Sequence, residues 1–357
     1  MRIQLLILIV SGCVGTFSCQ RSVQNMDQQE MEQTAEYNPF ASENEVMKGV
    51  SFVAPPDDFS EEVMPELKTI ACDWISVIPY GFMSKGDPKV QFGTNNSWQW
   101  WGETIEGVTE TIKRARDQNI NVMLKPHVWI HGSWVGSVQF ATEQEWLIWE
   151  ASNRAYVMAF AEIAQQYEVP LFCLGTEWKL TVIEREAYWR TLISEVRAVY
   201  DGQLTYAANW DEYDFVPFWD ALDFIGVNAY FPLLDEAKPT TQGLVDAWKP
   251  LKKTLSDFSD DKQKRMIFTE FGNMSVDHCA YQNWVLEENR SILTYNEDCQ
   301  HNAINAIYST FWDEKFWAGG FIWKWYPDNY PGDRMRVDYT PQGKSSQKLM
   351  KDWFSIN

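Results

Sequence analysis

The sequence has 357 residues, of which 45% are hydrophobic, and this length suits one large domain or two small ones. Its 50 acidic and 30 basic side chains give a formal net charge of −20. This charge argues against a nucleic acid partner, because phosphate backbones need clustered Lys and Arg. The chain also carries 19 Trp residues. Indole is bulky and seldom fully buried, so this number predicts rings lining a groove, with a Trp-rich core as the alternative for about half of them.

The N-terminus has the features of an export signal. Arg2 precedes an apolar run from Ile3 to Val10, which is too short to span a bilayer but suits the apolar region of a secretory signal. Cys13 and Cys19 each follow small residues, as in a bacterial lipobox, where the Cys is lipidated after cleavage. Cys19 leaves a signal of more usual length, so we expect lipidation there rather than at Cys13. An ordinary cleaved signal is the alternative. Lipidation would anchor the exported protein to a bacterial membrane, on its periplasmic or cell-surface face, without spanning it.

The other cysteines fall into two pairs. Cys72 and Cys173 lie in apolar stretches, which is typical of buried thiols. Cys279 and Cys299 flank one polar segment, and export to an oxidising compartment permits a disulfide between them. Spacing alone does not supply the geometry of such a bond, so two free thiols are the alternative.

Residues 20–46 are polar and lack apolar periodicity, which predicts a flexible tether between the signal at 1–19 and a domain over 47–357. Within that domain, short apolar runs alternate with longer amphipathic stretches. Eight runs are apolar nearly throughout, as parallel strands buried on both faces are. These predicted strands are Lys48–Val53, Ile75–Phe82, Asn121–Trp129, Leu171–Trp178, Leu204–Trp210, Asp223–Phe231, Met266–Gly272 and Gly319–Tyr326.

Most segments between the strands carry apolar residues at helical spacing. The predicted helices are Thr104–Gln118, Glu143–Tyr167, Glu184–Tyr200, Leu244–Phe258, His301–Phe316 and Gln342–Phe354. Eight strands alternating with helices predict an α/β fold, a single-domain (β/α)8 TIM barrel. An open doubly wound sheet is the alternative. It usually carries a glycine-rich phosphate turn after its first strand, which this chain lacks.

Active sites of such barrels lie at the C-terminal ends of the strands, and polar residues crowd these ends in this sequence. Glu177 and Glu270 each end an apolar strand and each follow a Thr. A buried carboxylate is costly unless it is paired or used. Two carboxylates facing across a barrel hydrolyse glycosidic bonds: one protonates the leaving oxygen, and the other attacks the anomeric carbon or activates water. A structural ion pair, for instance with Lys125 or Lys324, is the alternative.

Aromatic rings at the same rim suit a sugar, whose C–H faces stack on indole and phenol. The candidates are Trp129, Trp134, Trp178, Trp210, Trp323 and Trp325. Neighbours on a strand point to opposite sides, so not all of them can face the pocket. His127 and His131 lack the helical HExxH arrangement of a zinc site, and no phosphate-binding loop or nucleophile elbow occurs. We therefore expect neither a metal nor a cofactor.

Eight short motifs at the strand ends point to one family. They are KGVSF (48–52), IPYGF (78–82), MLKPH (123–127), GTE (175–177), YAANW (206–210), GVNAY (226–230), EFG (270–272) and GFIWKW (320–325). In this order they resemble glycoside hydrolase family 113, a group of (β/α)8 β-1,4-mannanases within a clan of retaining glycosidases. The resemblance runs from about Lys48 to the C-terminus.

The resemblance implies roles at matching positions. Glu177 corresponds to the general acid/base, Glu270 to the nucleophile, Tyr230 to the tyrosine that hydrogen-bonds the nucleophile, and Trp323 to the floor of the cleavage subsite. Sugar-hydroxyl contacts are expected from Lys125, His127, Asn209 and Asn228. The predicted substrate site also includes Trp129, Trp210 and Lys324. Most clan members place Asn before the acid/base to hold the sugar 2-hydroxyl, whereas this chain has Thr176 there.

The function predicted from these residues is retaining hydrolysis of β-1,4-mannosidic bonds in mannan, glucomannan or mannooligosaccharides, by a monomer. One alternative is an exo-acting or oligosaccharide-trimming β-mannosidase, or a β-glucanase, on the same barrel. The alternative from another class is a non-catalytic surface glycan-binding lipoprotein. Such a protein would keep the aromatic residues but would need neither Glu177 nor Glu270.

Overall fold

Eight parallel strands close into a barrel in the computed structural model, which describes residues 45–59, 63–93, 99–327 and 336–356. The described strands are β1 (Met47–Phe52), β2 (Trp74–Val77), β3 (Tyr80–Met83), β4 (Asn121–Leu124), β5 (His127–Ile130), β6 (Leu171–Thr176), β7 (Gln203–Asn209), β8 (Ile225–Asn228), β9 (Met266–Phe271) and β10 (Trp317–Trp325). All except β3 and β5 belong to the barrel, which β1 closes by pairing with β10. The predicted (β/α)8 fold is confirmed.

Two of the predicted strands are each divided by a proline. Pro79 separates β2 from β3, and Pro126 separates β4 from β5. Proline has no N–H to donate to a ladder, so the barrel pairing stops at these positions. The continuations β3 and β5 then pair with each other in a small parallel sheet, in which Tyr80 lies opposite His127.

The helices are α1 (Met64–Thr69), α2 (Ile105–Asp117), α3 (Glu143–Gln166), α4 (Lys179–Glu184), α5 (Glu186–Arg197), α6 (Thr241–Lys262), α7 (Asn283–Glu288), α8 (Glu297–Phe311) and α9 (Ser345–Phe354). Threonine caps fix two of the predicted starts, since Thr104 accepts from Gly107 N and Thr142 forms a capping box with Glu145. Helices α1, α4 and α7 were not predicted, because six residues are too few to show a helical pattern. In the described chain, 3₁₀ turns rather than an α-helix connect β7 to β8.

Much of the Trp excess lies in the core. Nine of the described Trp side chains are buried: Trp74, Trp146, Trp149, Trp178, Trp189, Trp219, Trp248, Trp317 and Trp325. Of the six candidate sugar-stacking rings, Trp178 and Trp325 are therefore excluded, since they are only 2% and 1% exposed. These Trp side chains fill the core, as the alternative interpretation predicted. Only the more exposed rings can line a groove.

Cys72 and Cys173 are buried free thiols, as their apolar surroundings in the sequence predict. Cys279 and Cys299 form a disulfide with their Cα atoms 6.1 Å apart, which ties the segment after β9 to the start of α8. The expected signal at 1–19, its Cys13 and Cys19, and most of the tether at 20–46 lie outside the described residues. Within the part of the chain that is described, no helix is long and apolar enough to cross a membrane.

Candidate active site

Glu177 follows β6 directly, in a sharp backbone turn. Its φ of 57° is left-handed, which is uncommon for a residue with a Cβ and is typical of strained functional positions. The carboxyl Oε1 accepts from Asn228 Nδ2 at 2.9 Å, and Oε2 accepts from the indole Nε1 of Trp134 at 2.8 Å. Burial, followed by the negative charge of Glu270, raises the pKa of Glu177 above its usual range, and these two hydrogen bonds act in the opposite direction.

Glu270 lies in β9 and is only 5% exposed. Its Oε2 accepts from the Tyr230 hydroxyl at 2.9 Å, and its Oε1 forms an ion pair with Lys125, which is completely buried just after β4. The sequence analysis named an ion pair with Lys125 as the structural alternative to a catalytic role, and this ion pair is present. Because both partners are buried, loss of either would leave an uncompensated charge inside the barrel.

Asn228 connects the two carboxyl-bearing strands. It ends β8, where it lies in register with Glu270, and its amide donates to Glu177. Its Oδ1 accepts from the Thr269 hydroxyl at 2.9 Å, so both polar ends of this buried amide are satisfied by protein. The Glu177 carboxyl is therefore bonded to a side chain whose own residue is paired, strand to strand, with Glu270.

His127 and Tyr80 stack on the small sheet beside this pair, with ring centroids 5.3 Å apart. Burial, and to a lesser degree the charge of Lys125, lowers the pKa of His127 to about 3, so its imidazole is neutral at ordinary pH. The buried Nδ1 of His127 has no hydrogen-bond partner among the described residues. A neutral ring nitrogen of this kind can donate to or accept from a ligand hydroxyl.

Exposed and half-buried aromatic rings lie around these groups. Trp129 is 54% and Trp134 is 40% exposed, while Trp323 is half-buried with the Lys324 ammonium 5.6 Å from its ring centre. Trp210 stacks almost parallel to Trp284 of α7, with centroids 5.8 Å apart. Rings presented in this way offer flat faces to a sugar.

Direct contacts join five of the predicted site residues in two groups: Glu177 with Asn228, and Glu270 with Lys125 and Tyr230. Of the other predicted residues, Asn209 accepts from its neighbour Trp210 N at 2.8 Å. Sequence reasoning missed Thr269, although it precedes Glu270, and Trp284, because it lies on an unpredicted short helix. No group of three or more His, Cys, Asp or Glu in the described ranges is placed to hold a metal ion.

A (β/α)8 barrel that brings two carboxyl groups together at its strand ends, among exposed indole rings, is the architecture of a glycoside hydrolase. Residues 56–344 match glycoside hydrolase family 113, and the chain belongs to this family. The predicted family is thus confirmed, and the protein is an enzyme of the glycoside hydrolase class.

Solved structures share this fold. The family 113 β-mannanase from Alicyclobacillus acidocaldarius, in complex with ManMIm, is 24% identical with a TM-score of 0.75, over 87% of this chain and 97% of that one. Another family 113 β-1,4-mannanase complex is 22% identical with a TM-score of 0.74, over 88% and 100%. A β-glucuronidase from Faecalibacterium prausnitzii is 14% identical with a TM-score of 0.57, over 87% and 49%. No curated protein matches the sequence.

Proposed function

We propose that this glycoside hydrolase cleaves β-1,4-mannosidic bonds in mannan, glucomannan or mannooligosaccharides with retention of configuration. The observation that carries the proposal is the arrangement of the two carboxyl groups: Glu177 is bonded to Asn228, which lies in register with Glu270, and Lys125 and Tyr230 hold the Glu270 carboxyl. Structures of similar fold that are described as β-1,4-mannanases support the substrate class.

In the first step, a Glu270 oxygen attacks the anomeric carbon, and the bond from that carbon to the leaving oxygen breaks. Glu177 gives its proton to the departing oxygen, which leaves as a hydroxyl. Burial and the negative charge of Glu270 keep this proton on Glu177, since both raise its pKa. Lys125 and Tyr230 hold the two Glu270 oxygens in place for the attack.

In the second step, the mannosyl ester on Glu270 no longer carries a negative charge. One cause of the raised pKa of Glu177 is then absent, so Glu177 can take a proton from water. The water oxygen attacks the anomeric carbon, the ester bond breaks and the Glu270 carboxylate is restored. Two inversions at the same carbon give net retention.

The test is incubation with β-mannan, glucomannan, cellulose and mannooligosaccharides, following product size by chromatography and the anomer first formed by NMR. We expect β-mannan cleavage with a β-anomer first, and near-complete loss of activity in Glu177→Ala and Glu270→Ala. Glu195→Ala, which removes an acidic side chain from the outer helix α5, is the matched control. Wild-type activity of Glu270→Ala on mannan would show the assignment to be wrong.

The same experiment separates the alternatives. Release of single mannose units from chain ends indicates an exo-acting or trimming enzyme, and cleavage of cellulose alone indicates a β-glucanase. With a dinitrophenyl β-mannobioside, whose leaving group departs without a proton, azide restores turnover to Glu177→Ala as a β-mannosyl azide if Glu177 is the acid/base, because azide needs no general base. Binding without cleavage of any substrate indicates a glycan-binding lipoprotein.

We also propose that the enzyme is exported and anchored by a lipid on Cys19. The support is the sequence of residues 1–19, with its apolar run and small residues before the Cys. Labelling with radioactive palmitate in a bacterial host tests this proposal, with Cys19→Ser expected to lose the label and Cys13→Ser expected to keep it. Label that is lost only from Cys13→Ser would move the lipid to that residue.

A further inference from the structure

The backbone turn that carries Glu177 is held on both sides by buried hydrogen bonds. The N–H of Glu177 donates to the carbonyl of Ala207 at 2.8 Å. The next N–H, that of Trp178, donates to the hydroxyl of Tyr206 at 2.6 Å. A left-handed residue with a Cβ persists only where its surroundings fix it. These two hydrogen bonds therefore fix the backbone at Glu177 and with it the direction of its Cα–Cβ bond.

Tyr206 has little freedom to move. Its ring is fully buried and packs edge-on against Trp189 and Phe218, with centroids 5.7 Å away in each case. A tyrosine hydroxyl has one proton to donate. Since the hydroxyl accepts from Trp178, its proton is directed to Glu212 Oε1, at 3.3 Å. Glu212 thus sets the orientation of the hydroxyl that holds the turn.

Glu212 is otherwise unexplained by packing. It is completely buried, its Oε2 has no hydrogen-bond partner among the described residues, and none of the described cations pairs with it. The other buried carboxylates differ, since Glu270 pairs with Lys125 and Asp338 with Arg290. Burial is the main cause that raises the pKa of Glu212 to about 8. A buried carboxyl without a counter-charge lowers stability, and its contact with Tyr206 gives it a role that offsets this cost.

We propose that Glu212 is a positioning residue, which acts through Tyr206 to hold the Glu177 turn and to aim that carboxyl at the leaving-group oxygen. This inference rests on the proposed role of Glu177 as general acid. It concerns only the orientation of the proton donor. The defect of a variant should therefore depend on how much protonation the leaving group needs.

The experiment compares phenyl and dinitrophenyl β-mannobiosides, which share a sugar and differ in the leaving group. Phenoxide leaves poorly without a proton, whereas dinitrophenoxide leaves unaided. In Tyr206→Phe and Glu212→Leu we expect kcat/KM to fall about tenfold for the phenyl substrate and much less for the dinitrophenyl substrate. Glu212→Gln keeps an oxygen acceptor for Tyr206 in a side chain of nearly the same shape, so it should restore the phenyl rate.

Tyr200→Phe is the matched control, since it removes another buried hydroxyl, bonded to the Val169 carbonyl at 2.7 Å before β7. It should lower the unfolding temperature to a similar extent but show no leaving-group dependence. Equal losses on both substrates, or a wild-type phenyl rate in Glu212→Leu, would overturn the positioning role. Glu177→Ala should show the same dependence more strongly. If it shows none, or if the wild type cleaves neither substrate, the proposed function fails and the positioning role fails with it.

Discussion

Removal of the Trp134 indole N–H should raise the pKa of Glu177 and move the basic limb of the kcat/KM profile to higher pH. The N–H donates to Glu177 Oε2 at 2.8 Å and so favours the ionised carboxylate. The ring is seated against Gly136, where an added Cβ would lie only 2.4 Å from the indole atoms. Trp134→Phe keeps an aromatic ring in part of this space and removes the donor.

The size of the effect follows from the contact. A hydrogen bond to a charged group contributes about 1.5–3 kcal/mol when it is sheltered from water. Trp134 is 40% exposed, so water replaces part of the lost bond, and we take the lower end of that range. About 1.4 kcal/mol corresponds to a factor of ten in protonation, so we expect the basic limb of the profile to move up by about one pH unit.

The assay is kcat/KM for a phenyl β-mannobioside across the pH range, because this ratio reports groups of the free enzyme and Glu177 must be protonated for the first step. Trp129→Phe is the control, since it changes a neighbouring exposed indole for which the structure shows no bond to Glu177. A basic limb that stays in place in Trp134→Phe, or that moves to lower pH, would refute the reasoning. So would an equal shift in Trp129→Phe.

Three further outcomes follow from the buried groups. Lys125→Met should lower the free energy of unfolding in urea titrations by about 3–5 kcal/mol, because it leaves the buried Glu270 carboxylate without a partner. Adding Glu270→Gln to this variant should recover most of the loss. If the double variant is no more stable, the ion pair does not explain the loss. Replacing Cys279 and Cys299 with Ser should cost about 3 kcal/mol, and dithiothreitol should then leave the unfolding temperature of the variant unchanged while lowering that of the wild type. Glu212 has a pKa of about 8 in the folded protein against an ordinary 4.5, so the folded form binds more protons between these values and stability falls as pH rises through this window. Glu212→Gln should remove the contribution of Glu212 to this pH dependence, which is up to about 1.4 kcal/mol for each pH unit. The same slope of unfolding free energy against pH in this variant and the wild type would contradict the reasoning.

The barrel could be predicted because each of its strands is a short apolar run, and burial on both faces imposes that composition. The ends of two runs were misjudged for a local reason. Pro79 and Pro126 can be read from the sequence, but the sequence does not show which strands lie beside them in the barrel. The small sheet of β3 and β5 forms because both interrupted strands continue side by side. The closed barrel places these two strands side by side, and neither segment alone shows that they are neighbours.

The positions of the two carboxyl groups were predictable for the same reason, since each ends an apolar strand. The orientation of their neighbours was not. Trp178 was a candidate for the pocket because it follows Glu177 directly, but beyond the left-handed turn at Glu177 it packs against Trp149 in the core. Trp134, which lies in a different loop, supplies the indole at Glu177 instead.

The contacts that define the chemistry of the site join residues that are far apart in the sequence. Lys125 and Asn228 were expected to bind sugar hydroxyls, yet the structure directs Lys125 to Glu270 and Asn228 to Glu177, across 145 and 51 residues. A motif shows that a polar side chain ends a strand, and the closure of the barrel decides which carboxyl it reaches. In the proposed mechanism both groups therefore act on the substrate chiefly through the carboxyls they hold. It follows that their removal should reduce kcat more than it raises KM.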